Sequence, residues 1–281
     1  MPRLNDRHFE TVAEMIQDRV GIQIPPAKRT MVEGRLRKRM RALDIETLTE
    51  YGRHVFDHGH LAEEFVHIVD CVTTNKTDFF REPAHFDQLR DELIPMLRRN
   101  GITQARLKLW SAAASTGAEA YTLAMVLHDM AMAGHAIDYA ILGTDVSTEV
   151  LRVAADGIYP DDVLQAVPPH FRRRYVMNAR NPSWKVGRIV PELRSRVHFK
   201  HLNLMNAQYP VDRDVDIIFC RNVLIYFDKD TQRAVLSRLA THLRPGGFLV
   251  VGHSESMAGA GVPGLAQISS TIFGRTPGAV A

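Results

Sequence analysis

Polar and acidic residues follow an apolar run at four places in this sequence. Glu119 comes after Leu107-Lys-Leu-Trp-Ser-Ala-Ala-Ala, across a small-residue stretch that ends at Gly117. Asp145 closes Tyr139-Ala-Ile-Leu-Gly-Thr-Asp, Asn203-Leu204 follow Val197-His-Phe-Lys-His-Leu, and Arg221-Asn222 follow Val215-Asp-Ile-Ile-Phe-Cys. Small residues let a backbone approach a ligand closely, and Gly117 supports the turn into the next helix. The stretch is not the Gly-x-Gly-x-x-Gly that a dinucleotide pyrophosphate requires, and Glu119 repels phosphate while attracting an ammonium group. A carboxylate at Asp145 accepts both hydroxyls of a ribose. Together these groups suit a nucleoside that carries an amino-acid chain and no phosphate, S-adenosylmethionine. The same spacing also fits Asp145 as a helix cap and Glu119 as a first-turn acid favoured by the helix dipole.

These residues meet only if their apolar runs lie side by side. From Leu107 onward strand-like runs alternate with helical patterns at Tyr121 to Met132, Thr148 to Ala155 and Lys229 to Leu243, the last ending at Pro245-Gly246-Gly247 before a strand at Phe248. Alternation of this kind predicts an α/β, Rossmann-like, mostly parallel sheet with helices on both faces, and ligands then sit beyond the carboxyl ends of its strands. Residues 157–195 break the pattern with prolines and short apolar pairs and read as an inserted subdomain. Residues 1–72 read as an all-helical domain. Phe9, Val12, Met15, Ile16 and Val20 recur at helical spacing before Gly21, and Val32, Leu36, Met40 and Leu43 form the apolar stripe of a helix over 27–43. Two further helices are expected near 48–56 and 61–72. The residues beyond Thr276 are expected to fray.

Composition narrows the field. With 281 residues, 45% hydrophobic and 24% charged, the chain is long enough for one large or two modest globular domains. Thirty-five basic against 32 acidic residues leave only +3, yet seven of the bases (Lys28, Arg29, Arg35, Arg37, Lys38, Arg39 and Arg41) face one acid, Glu33, in a single window. No apolar run approaches the ~18–20 residues of a membrane span, and the start of the sequence has no secretory core, which points to the cytoplasm. Two cysteines, Cys71 and Cys220, are too few for a zinc quartet.

Two motifs mislead. Gly259-Ala-Gly261-Val-Pro-Gly264 spells a dinucleotide fingerprint but precedes a strand-like run rather than a helix, so it reads as a loop. His54, Asp57, His58 and His60 could share a metal, but no other ligand cluster supports them, and a solvated helix end is the expected reading. No metal is expected.

Four longer segments carry more information: Thr73-Thr-Asn-Lys-Thr-Asp-Phe-Phe-Arg-Glu82, Trp110-Ser-Ala-Ala-Ala-Ser-Thr-Gly117, Cys220-Arg-Asn-Val-Leu-Ile-Tyr-Phe-Asp228 and Gly252-His-Ser-Glu255. In this order they resemble the chemotaxis receptor glutamate methyltransferases, the CheR family, over nearly the whole chain. The resemblance implies a linker and first helix over 73–100 that close over the cofactor, with Asn75, Thr77 and Arg81 in the closing segment. It implies a methyltransferase domain over 101–275 that uses S-adenosylmethionine and releases S-adenosylhomocysteine. Glu119 resembles the acid that holds the methionine ammonium and Asp145 the acid on the ribose. Asn203 and Leu204 match the adenine end, Arg221 and Asn222 the methionine side, and Arg81 and Tyr226 the two polar residues near the transferred methyl. The chain departs from a common family pattern at Ala118 and Ala120, where acidic and proline residues are frequent, and at Asp78, where a small residue is common.

The implied reaction is O-methylation of glutamate side chains on the cytoplasmic domains of methyl-accepting chemotaxis receptors. A glutamate is already ionised at neutral pH (pKa about 4.3), so alignment and desolvation matter more than a base. The basic window is then a docking face for acidic receptor helices. It also reads as a solvated face or, less well without interleaved aromatics, as an RNA site. The unit at 157–195 corresponds to a small β-unit that in some members grips a receptor C-terminal peptide, although Asn178 to Trp184 lacks the glycines of such a turn. Neither nucleic acid nor membrane insertion is expected. Against base methylation, the position after the fourth strand reads Cys220-Arg-Asn-Val, without the proline that accompanies a cysteine nucleophile.

Overall fold

The computed structural model describes residues 3–99, 106–256, 258, 259 and 261–276; the tail expected to fray lies almost wholly outside them. In the helical unit, α1 (Asp6–Val20) begins where Asn5 Oδ1 accepts from the His8 amide at 2.7 Å. It stops at Gly21, whose φ of 78° lets the chain reverse. Pro25-Pro26 delays the next helix, α2 (Arg29–Ala42), by a short 3₁₀ turn, so it starts later than the apolar stripe suggests. A capping box between Thr47 and Glu50 starts α3 (Leu48–Gly52), which loosens into a π-type turn at Arg53–Asp57, and α4 (Leu61–Val72) completes the unit. Phe9, Val12, Ile16, Val32, Leu36, Met40 and Val69 meet in its core. Each such side chain contributes about 1.5–3 kcal/mol when removed from water.

A rod made of α5 (Ala84–Gln88), a π-type turn and α6 (Ile94–Arg99) leads to the sheet. The strand and helix order is β1 (Leu107–Ala112), α7 (Ala118–Met132), β2 (Tyr139–Asp145), α8 (Thr148–Asp156), then the insert, β6 (Val197–His201), β7 (Val215–Cys220), α12 (Lys229–His242), β8 (Leu243–Val251), β9 (Leu265–Gln267) and β10 (Ile272–Arg275). The insert holds β3 (Ile158–Pro160), α9 (Asp161–Leu164), α10 (Pro169–Tyr175), β4 (Val176–Asn178), β5 (Val186–Ile189) and α11 (Pro191–Arg194), its strands forming a separate antiparallel sheet in the order β3-β5-β4.

The main sheet runs β6-β2-β1-β7-β8-β10-β9, with the first five strands parallel and β10 antiparallel to both of its neighbours, β8 and β9. The order switches direction between β1 and β7, and β7 is buried at every position, as a central parallel strand must be. Two differences from the sequence pattern have clear causes. The α7 helix begins at Ala118, not Tyr121, because Gly117 at φ 85° turns the chain directly into it. The Leu243–Pro245 segment belongs to a strand: Arg244 pairs at 3.1 Å with the fully buried Asp216, and a Cβ at Gly247 would come within 2.8 Å of the Asp216 carbonyl.

The helical unit is fastened to the sheet. Asp70 accepts from the Thr148 amide and hydroxyl at 3.0 and 3.2 Å, Gln23 donates its amide to the Tyr226 carbonyl at 3.2 Å, and Lys38 pairs with Glu149. A side chain at Gly21 would strike Met205 Sδ. Among the described residues no helix is long and apolar enough to cross a membrane.

Candidate functional site

The carboxyl ends of β1, β2, β6 and β7, the Thr73–Arg81 linker and the end of α1 enclose one cavity of about 910 Å³, its open mouth included. All ten residues named from the sequence for the cofactor and the methyl transfer line it: Asn75, Thr77, Arg81, Glu119, Asp145, Asn203, Leu204, Arg221, Asn222 and Tyr226. Their strands bring them there by register, since Ala112 lies beside both Thr144 and Cys220, and Asp145 beside His201. The floor is the small-residue turn Ala113–Ser115. Ala113, Ser115 and Asn222 hold φ of 62°, 50° and 59°, left-handed values that cost about 1–3 kcal/mol each in a non-glycine residue and cluster at binding sites.

Asp145 is buried, and each of its oxygens accepts one backbone N–H, from Ser115 and Ser147, at 2.9 Å. Burial raises its pKa and the two amides oppose that rise. The cap of α8 is Ser147 rather than Asp145, so the carboxylate braces the floor and retains lone pairs for hydroxyl donors. Ser115 also donates its hydroxyl to the Asn75 carbonyl at 2.9 Å, which ties the linker to the floor.

Glu119 is not free. Its Oε1 accepts from Ser111 Oγ at 2.7 Å and its Oε2 from Arg221 at 2.9 Å. Arg221 is buried, lies 3.1 Å from Glu82 Oε2 and donates to the Arg81 carbonyl at 2.6 Å, so it is a clamp as much as a lining residue. Glu82, which closes the linker motif but was given no role from the sequence, accepts from the Asn222 side-chain amide at 3.0 Å as well. Burial favours its neutral form, but the Asn222 hydrogen bond and the Arg221 charge outweigh that and hold its pKa at about 2. A second unanticipated anchor is Glu255. Fully enclosed, it accepts from the amides of Gly252, Asn222 and Leu224 at 2.7–2.8 Å, which fixes the loop after β7. Gly252 is required there, because a Cβ would approach Asn222 Nδ2 and Glu255 Oε2 to 2.8 Å. The motif containing Gly252 and Glu255 was visible in the sequence, but a carboxylate that satisfies backbone amides leaves no spacing signal.

Asn203 is spent on structure. Its amide donates to the Arg19 carbonyl at 2.5 Å and its oxygen accepts from the Met205 amide, so it joins the helical unit to the cavity wall. Among the described residues the Arg81 guanidinium makes one hydrogen bond, to the Lys76 carbonyl at 3.1 Å, and keeps donors for other partners. The Lys28 ammonium lies 5.6 Å from the centre of the Tyr226 ring. Cys220 is completely buried and its thiol is pushed well above the usual range, which removes it as a nucleophile.

Four of the seven basic residues of the window have hydrogen-bond partners elsewhere in the chain. Arg29 binds Asp6 and Glu33, Arg39 forms a two-point pair with buried Glu64, Arg35 donates to the Val72 and Thr73 carbonyls, and Lys38 holds Glu149. Among the described residues Arg37 has no charged partner, and Arg41 donates to the Arg37 carbonyl at 3.2 Å. Gly264 leads directly into β9, a strand, so among the described residues no helix follows this motif.

S-adenosylmethionine fits this donor set. Two carboxylates, Asp145 and Glu119, line one cavity together with the small side chains Ala113, Ala114 and Ser115, and the turn after β1 is not the Gly-x-Gly-x-x-Gly of a phosphate loop. When bound, the cofactor supplies an electrophilic methyl group on a sulfonium. The chain is similar to known proteins over most of its length. Residues 75–271 match the family described as CheR methyltransferase, SAM binding domain, and residues 7–73 match CheR methyltransferase, all-alpha domain. It is 38% identical over 257 residues to the chemotaxis protein methyltransferase of Escherichia coli, covering 91% of this chain and 86% of the relative. Identity is 37% with chemotaxis protein methyltransferase 2 of Pseudomonas aeruginosa (90% and 87% covered) and 32% with the chemotaxis protein methyltransferase of Borreliella burgdorferi (88% and 87%).

Proposed function

We infer the substrate from a firm premise: this chain belongs to the CheR methyltransferase family and is an S-adenosylmethionine-dependent methyltransferase of chemotaxis. The proposed reaction is transfer of a methyl group to glutamate side-chain carboxylates on the cytoplasmic helices of chemotaxis receptors, giving γ-glutamyl methyl esters that set receptor adaptation. The proposed substrate places the enzyme in the cytoplasm. The observation that carries this reading is the convergence of Glu119, Asp145, Arg81 and Tyr226 on one cavity, with Lys28, just before the basic helix, 5.6 Å from the centre of the Tyr226 ring.

In this proposal Asp145 binds the ribose hydroxyls and Glu119 the ammonium. Asn203 and Leu204 border the adenine, Arg221 and Asn222 shape the methionine side, and Asn75 and Thr77 close over the top. Arg81 orients the incoming carboxylate through paired hydrogen bonds without withdrawing its charge fully. The Tyr226 hydroxyl holds the oxygen that does not attack. No base is needed, since the substrate carboxylate is ionised. The enclosed floor excludes water, which strengthens attraction between the reacting charges. Lys28, in the turn just before α2, lies beside the cavity-lining Tyr226, with Arg37 and Arg41 farther along the helix. A receptor tail peptide on the insert remains part of the proposal, with the exposed Trp184 as its natural contact.

The test is transfer of radiolabelled methyl to purified receptor cytoplasmic fragments, with RNA as the competing acceptor. Label that enters the fragment and is released by mild base supports a carboxyl ester. Base-stable label, or label on RNA alone, overturns the assignment.

A further inference from the structure

Behind the loop that carries Arg221, three side chains from distant parts of the sequence converge. Glu82, His85 and His253 each offer a ligand atom, and these atoms lie within 4.8 Å of one another. None of the three lines the cofactor cavity. His85 is 1% exposed, with its Nε2 paired to Thr271 Oγ1 at 2.9 Å. Its Nδ1 points at Glu82 Oε2, 3.4 Å away, and has no hydrogen-bond partner. An unsatisfied ring nitrogen this deeply buried costs about 1–3 kcal/mol and needs an explanation. His253 supplies the open side: its ring centre is 4.9 Å from that of His85, and it borders a surface hollow walled by Asp87, Asp91 and Glu92. Arg90 neutralises part of that wall through Asp87 and Asp91 and leaves Glu92.

We propose that Glu82, His85 and His253 form a binding site for a divalent transition-metal ion of the zinc class, entered from this hollow. Two imidazoles and one carboxylate are a borderline-soft donor set that suits zinc, whereas calcium and magnesium require oxygen ligands. Metal–ligand bonds of about 2.0–2.2 Å require the three atoms to draw in to roughly 3.4 Å apart, a shift that the exposed His253 ring can make on its short turn. The buried Nδ1 of His85 is already aimed at the common point. Arg221 opposes a cation there, but Glu119 at its other end takes up that charge. The sequence shows only the His54–His60 group because a site assembled from residues 82, 85 and 253 has no local spacing. Within that group His54 and His60 stack on each other at 4.2 Å and His60 faces Glu63, an arrangement held together without an ion.

The experiment is calorimetric titration of zinc chloride into the untagged full-length protein, first freed of metal with a chelator, in the absence of cofactor. One equivalent bound with a micromolar or tighter Kd is expected. Loss of a direct ligand costs at least the about 10–100-fold that loss of a supporting residue costs, so His253→Ala, a surface change, weakens binding 10-fold or more. His60→Ala leaves it unchanged. His85→Gln gives the same loss if it folds, and His253→Ala decides the matter if it does not. No saturable equivalent, undiminished binding by His253→Ala, or loss on His60→Ala overturns the site.

Discussion

Arg221 donates to Glu119 Oε2 at 2.9 Å, so two residues assigned to the cofactor's amino-acid end are also each other's partner. Glu82 holds the same guanidinium from another side at 3.1 Å, and the cation is almost wholly enclosed. Removing one member of such a group leaves uncompensated charge, at a cost of about 3–5 kcal/mol. Arg221→Ala is therefore expected to lower unfolding stability by that amount and to weaken S-adenosylhomocysteine binding together with it. Arg221→Lys restores charge but not the two-sided fork, and should recover only part of either. Denaturant unfolding and calorimetry read both quantities. Stability within 1 kcal/mol of the parent for Arg221→Ala contradicts the clamp.

Glu82 gives the site a pH dependence of known sign. Its pKa is depressed from 4.5 to about 2, because the Asn222 amide and Arg221 outweigh the effect of burial. The folded state therefore prefers the ionised form. The resulting stability is present in full above the unfolded value near 4.5 and is lost as pH falls toward 2. Its size is on the order of 2–3 kcal/mol. Glu82→Gln should flatten this part of the stability–pH curve between pH 5 and 2.5 and lower stability at pH 7. Parallel curves for the parent and the variant, measured by denaturant unfolding, would exclude the linkage.

Arg81 is the sharpest test of residue roles. Its side chain makes a single bond to a carbonyl, and its own carbonyl is held by Arg221, so the backbone stays placed when the guanidinium is removed. Arg81→Ala is expected to reduce kcat for methyl transfer by about 100-fold, the scale of a lost charge-stabilising donor. S-adenosylhomocysteine affinity should stay within a few-fold. Turnover at the parental rate would remove Arg81 from the reaction.

The legible part of this protein is the part written in local pattern. Alternating runs announced the parallel sheet, and the rule that ligands sit at strand carboxyl ends singled out Glu119, Asp145, Asn203 and Arg221, all of which border the cavity. What stayed hidden depends on partners distant in sequence. Asn203 is tied to Arg19, Glu255 to the loop after Cys220, and Glu82 to both Arg221 and Asn222. Charge counting is blind to pairing for the same reason. A basic residue seen in a sequence has no visible partner, and Arg39 meets Glu64 only after α2 and α4 pack together.

The pairing separates docking from folding on the basic helix. Arg39 makes two hydrogen bonds, of 2.9 and 2.6 Å, to a carboxylate that is itself buried. Arg39→Glu would confront Glu64 with a like charge and should destabilise the helical unit by about 3–5 kcal/mol. Arg37 and Arg41 have no acidic partner among the described residues, so reversing both to glutamate should leave the unfolding midpoint unchanged. If this face receives acidic receptor helices, the Arg37→Glu, Arg41→Glu protein should show about a 10-fold higher KM for the receptor fragment at low salt, with kcat preserved. Surface steering is screened beyond roughly 10 Å at 0.1 M ionic strength, so added salt should raise the parental KM and narrow the gap. An equal KM at low salt means that the receptor docks elsewhere, with Lys28 and the cavity rim the next surface to probe.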